Sequence, residues 1–85
     1  MNMIRIQVLG LGNGPHRKLS SNLHSALKSA GLPAEVQQVT EVDDILRFKV
    51  SSIPTILLEG RALFENGYIP TIEELREVLS NAASG

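Results

Sequence analysis

A chain of 85 residues, 42% of them hydrophobic, is long enough for one small core and too short for two, so a single domain over 1–85 is expected. No apolar run approaches the roughly 18 residues of a membrane span, and a net charge of −1 with eight scattered Lys and Arg argues against nucleic acid or an anionic membrane as partner. Cysteine is absent, which excludes thiol–disulfide exchange by the chain's own side chains, because that reaction needs a thiolate.

In chain order, residues 3 to 9 read as a strand, with Ile4, Ile6 and Val8 on one face and Arg5, Gln7 and Leu9 on the other. Residues 15 to 30 read as a helix whose Leu19, Leu23, Ala26, Leu27 and Ala30 form one apolar stripe; Gly31 closes it and Pro33 prevents its continuation. Ala34 to Val39 is a short, partly polar strand of the kind found at a sheet edge. Thr40-Glu41-Val42-Asp43 has the form of a helix start, and Val42, Ile45 and Leu46 offer an apolar face as far as Phe48.

Thr55 to Glu59 is almost continuously apolar and suits a central strand. Gly60-Arg61 then turns the chain, Ala62 to Glu65 returns antiparallel, and Asn66-Gly67 closes the hairpin. Thr71 and Glu74 make a capping box for a last helix carrying Leu75, Val78, Leu79 and Ala82, with a tail from Ala83 to Gly85 expected to fray. The order β-α-β-α-β-β-α predicts an α/β fold with a four-stranded mixed sheet and helices on both faces, the first two strands parallel.

The turn between the first strand and the first helix is Gly10-Leu11-Gly12-Asn13-Gly14-Pro15-His16. Asn13 suits an N-cap, Gly14 relaxes the backbone, and Pro15 fits a first turn, where its missing N–H breaks no helical bond. Asn13-Gly14-Pro15-His16 resembles the thioredoxin motif C-G-P-C with each cysteine replaced, and Ser52-Ile53-Pro54-Thr55 is similar to the segment around that family's cis-proline. Gly10 and Gly12 match the small glutaredoxin-like thioredoxins of archaea and bacteria, which also begin at the first strand. Departures are specific: Gln7 stands where thioredoxins keep a buried acid, and Gly12 where they usually have tryptophan.

The resemblance implies a thioredoxin-like fold, a cis bond before Pro54, and a groove between the motif and the proline loop. In the family the residue before the cis-proline, here Ile53, offers its backbone N–H and C=O to an extended peptide, in the manner of strand addition. Backbone recognition needs no cysteine. The candidate binding residues are therefore Asn13, Gly14, Pro15, His16, Ile53, Pro54 and Thr55, and the expected partner is a protein or peptide. Neither a cofactor nor a metal is expected.

Each candidate has a plainer reading. Pro54 is otherwise an ordinary proline before a strand, Asn13 simply a cap, and the retained Gly14, Pro15 and Pro54 simply fold geometry. His16 projects close to the direction of Leu23 and Leu27, so it reads as a partly buried residue filling the space of the second cysteine. A catalytic or anion-binding His16 at the helix N-terminus is the alternative, and it requires a second polar group facing the ring in the fold. No Asp, Glu or second His stands nearby in sequence, and His24 is two turns further on. The glycine run lacks G-x-G-x-x-G spacing and a P-loop lysine. The N-terminus shows no secretory signal pattern, so a cytoplasmic location is expected.

Overall fold

The computed structural model describes residues 3–64 and 66–84. Its elements are β1 (Ile4–Leu9), α1 (Gly14–Ala30), β2 (Ala34–Val39), α2 (Val42–Arg47), β3 (Thr55–Leu58), β4 (Arg61–Leu63) and α3 (Ile72–Ser84). The strands form one mixed sheet in the order β2-β1-β3-β4. β1 pairs parallel with β2 and antiparallel with β3, which pairs antiparallel with β4. This is the expected α/β architecture.

Strand alternation divides the sheet into two unequal faces. Ile6, Val8, Ile56 and Leu58 pack with Leu19, Leu23 and Ala26 of α1 and Leu75 and Leu79 of α3 in the main core. On the other face Leu9, Val39 and Leu57 meet α2 through Ile45 alone among its buried residues. Each fully buried Leu or Ile stabilises by about 1.5–3 kcal/mol, so the α1/α3 face carries most of the hydrophobic stabilisation and α2 is the weaker layer.

α2 departs from its expected face. Val42 and Leu46 are 57% and 67% exposed. In a six-residue helix they fall close together at 100° per residue, and Ile45 is the residue turned to the sheet. Its N-cap is Glu41, with no side-chain cap bond, so the expected start at Thr40 lies one residue early.

The hairpin is also shifted. Glu59 and Gly60 occupy the turn with φ of 50° and 83°, the positive values a two-residue hairpin connection demands, and Arg61 already pairs with Leu58. Phe64 at φ 53° ends the strand, and Glu65 lies outside the described residues. α3 continues through Ala83 to Ser84, beyond the expected start of the tail, while Gly85 lies outside the described residues. Ala82 is exposed, because the main core ends on this helix at Leu79. The capping box forms reciprocally: Glu74 N–H donates to Thr71 Oγ1 at 3.1 Å and Thr71 N–H to Glu74 Oε1 at 2.9 Å. Among the described residues no helix is long and apolar enough to cross a membrane.

Candidate functional site

β1 ends at Leu9, and the Gly10 N–H still reaches the Val39 carbonyl at 3.1 Å. The chain then leaves the sheet through Gly12, whose φ of 77° suits glycine. Asn13 is extended, and its side-chain oxygen accepts the His16 N–H at 3.2 Å while its carbonyl accepts the Arg17 N–H at 3.0 Å. Asn13 is thus the N-cap, followed by Gly14, Pro15 and His16 in the first turn. Leu11, Asn13, Gly14 and Pro15 are exposed.

His16 is the opposite, only 4% exposed. Gly12 N–H donates to its Nδ1 at 2.8 Å, so Nδ1 presents a lone pair. Nε2 then carries the ring hydrogen and donates to Gln38 Oε1 at 2.7 Å. Gln38 in turn donates from Nε2 to Ser20 Oγ at 2.9 Å. One imidazole therefore joins the β1–α1 turn, α1 and β2, and both of its nitrogens are engaged. Gly10 makes room for it: a Cβ there would lie 2.7 Å from His16 Cγ and 2.8 Å from Nδ1.

Gln38 is the residue the sequence reading missed. It sits on β2 in phase with Ala34 and Val36, opposite Val8, on the strand face turned to α1. A polar side chain at a position the alternation directs toward a helix needs a partner there, and that was the available signal.

The second half of the candidate site precedes β3. Leu9 pairs with Thr55 antiparallel, so the register carries Gly10 to the side of Pro54 and brings the two loops together. The Ile53–Pro54 bond is cis. Pro54 is buried, and Thr55 is 1% exposed with its hydroxyl donating to the Leu63 carbonyl at 3.2 Å. Ile53 packs partly buried against the Leu9, Val39, Ile45 and Leu57 core. Ser52 Oγ accepts the Gly67 N–H at 2.9 Å, tying this loop to the turn after β4. The side chains of His16, Pro54 and Thr55 thus face inward, while Leu11, Asn13, Gly14 and Pro15 are exposed on the neighbouring turn.

Gln7 lies on the α2 face and donates to Gln37 Oε1 at 3.1 Å. Two ionisable groups meet at the start of α3, where the Tyr68 hydroxyl donates to Glu74 Oε1 at 2.6 Å. The Thr71 backbone N–H, with the Tyr68 hydroxyl beside it, holds Glu74 below the usual carboxylate range, and the hydrogen bond to Glu74 raises Tyr68. Among the described residues no group of three or more His, Asp or Glu gathers as a metal site.

A family of thioredoxin domains matches residues 4–80. The chain belongs to the thioredoxin family. It is 31% identical over 78 residues to a thioredoxin of Methanothermobacter thermautotrophicus, an alignment covering 92% of this chain and 100% of the relative. To a thioredoxin of Methanocaldococcus jannaschii it is 30% identical over 83 residues, covering 98% and 94%. This member of the thioredoxin family contains no cysteine.

Proposed function

We propose that this chain is a redox-inactive thioredoxin-fold module that binds an extended protein or peptide segment across the groove between Asn13-Gly14-Pro15-His16 and Ile53-Pro54-Thr55. The observation that supports it is the reconstruction of the motif. With no thiol to hold, the turn is still clamped by the His16 ring through Gly12 and Gln38. Gln38 is the polar group facing the ring that chemistry at His16 requires, but both imidazole nitrogens are spent on that clamp, so the ring presents neither a free lone pair nor a free N–H to a ligand. This favours binding by the surrounding surface over chemistry at His16.

Recognition in this reading uses backbone groups of the Ile53 loop, supplemented by the exposed Leu11, which is 54% exposed. The test is selection of linear peptides from a random library, followed by N-methylation of the selected peptide one amide at a time. Loss of binding on methylation of a single amide, with neighbouring amides tolerant, is expected of strand-like backbone recognition. Failure to select any peptide, or uniform tolerance of methylation, would contradict it.

A further inference from the structure

The sheet has two edges, and they are built differently. β4 spans only Arg61–Leu63, a three-residue edge that gives an incoming strand little to pair with. β2 offers six residues, Ala34–Val39, in unbroken register with β1 from Ile4↔Ala34 to Leu9↔Val39. It contains no proline, lysine or bulge, and its one charged residue, Glu35, lies 3.8 Å from Arg5 of β1 in an exposed ion pair of little strength; Glu35, Val36, Gln37 and Gln38 are exposed.

The direction of its backbone groups follows from one bond. Val39 C=O accepts from Gly10, so it points toward β1. Regular alternation then turns the groups of Glu35 and Gln37 inward as well, and those of Ala34, Val36 and Gln38 outward. We propose that β2 is a self-association edge, pairing antiparallel with β2 of a second copy of this chain about a two-fold axis at Val36.

That register is selected by the side chains. With the axis at Val36, each Ala34 faces a Gln38 and Val36 faces itself, all in pairs that exchange backbone hydrogen bonds. Glu35 then falls opposite Gln37 of the other copy, in the closely spaced pair where side chains approach most. Gln37 Oε1 already accepts from Gln7, which leaves its NH₂ to donate to the facing Glu35 carboxylate. Shifting the axis by one residue to Glu35 would set two carboxylates against each other. On the α1 face, the half-exposed Val36 continues an apolar groove formed with Leu27, Leu32, Pro33 and Ala34, and the axis brings the two grooves side by side. The product is one eight-stranded sheet with the motif turns outside the seam's hydrogen-bonded strands.

Sedimentation of the whole chain over a concentration series tests this. Wild type is expected to pass from monomer to dimer as concentration rises. Gln37→Glu places two carboxylates opposite each other twice per interface and is expected to weaken dimerisation at least tenfold. Adding Glu35→Lys to that variant restores opposite charges across the seam, so the dimer is expected to return and to become salt-sensitive. Val36→Pro removes an outward N–H while sparing the ladder to β1, and is expected to remain monomeric. If Val36→Pro does not fold, the charge pair decides alone. A wild type that stays monomeric at all concentrations, including one that pairs only with a strand of a different protein, overturns the proposal. So does a dimer indifferent to the β2 substitutions.

Discussion

The His16 imidazole stands where a side chain at Gly10 would have to go, 2.7 Å from His16 Cγ to the position of a Gly10 Cβ. The two residues are coupled by shape. The flat ring, seated by Gly12 and Gln38, requires a bare backbone beneath it, and Gly10 provides one.

A double-mutant cycle measures that coupling. Gly10→Ala is expected to destabilise by about 1–3 kcal/mol, the usual cost of overpacking a fitted site. In a His16→Ala background the same substitution is expected to cost far less, giving a coupling of at least about 0.5 kcal/mol by denaturant unfolding. Strict additivity would show that the ring does not set the space at Gly10.

Asn13 closes the same turn from its exposed side. Asn13→Ala removes the acceptor of the His16 N–H and is expected to cost about 1 kcal/mol, with Asn13→Ser nearly neutral. Equal losses in both variants would show that the cap bond is not what Asn13 contributes.

At the other end of the chain, Glu74 is stabilised as a carboxylate by the Thr71 N–H and the Tyr68 hydroxyl, so its folded-state affinity for a proton is reduced. A carboxylate with a lowered folded pKa contributes stability above its unfolded value, and loses it as pH falls through the folded one. Glu74→Gln is therefore expected to lower the melting temperature at neutral pH and to match wild type below the carboxylate range. A deficit that persists undiminished in strong acid would contradict this.

If the scaffold is intact and only the thiols are missing, Asn13→Cys with His16→Cys restores C-G-P-C on a turn that already has its glycine and proline. The double variant is expected to close a disulfide and to catalyse disulfide reduction with dithiothreitol, while wild type shows only the uncatalysed rate. No gain in rate would show that the turn has moved away from thioredoxin geometry.

Much of this was legible in the residues because it is local or periodic. The α1 stripe, the continuous β3 run, the Thr71/Glu74 box and the Asn13 cap each follow from spacing along one element, and together they give the fold. What was not legible depends on pairs distant in sequence. The partner of His16 is Gln38, 22 positions on, and only the parallel β1–β2 register brings it there. The exposure of Val42 and Leu46 reflects how a helix of under two turns meets the sheet, which its own apolar spacing does not reveal. The shortened β4 was set by backbone angles at Glu59 and Phe64, residues whose types do not announce positive φ.

Peptide binding in the groove is tested by an amide chemical-shift map of the ¹⁵N-labelled chain titrated with a peptide selected from a random library. Saturable shifts are expected to cluster at Leu11 to Gly14 and at Ile53 and Thr55, with α3 and β4 silent. Shifts centred on another surface, or no saturable shifts with any selected peptide, would contradict it and leave the retained turn as fold geometry alone.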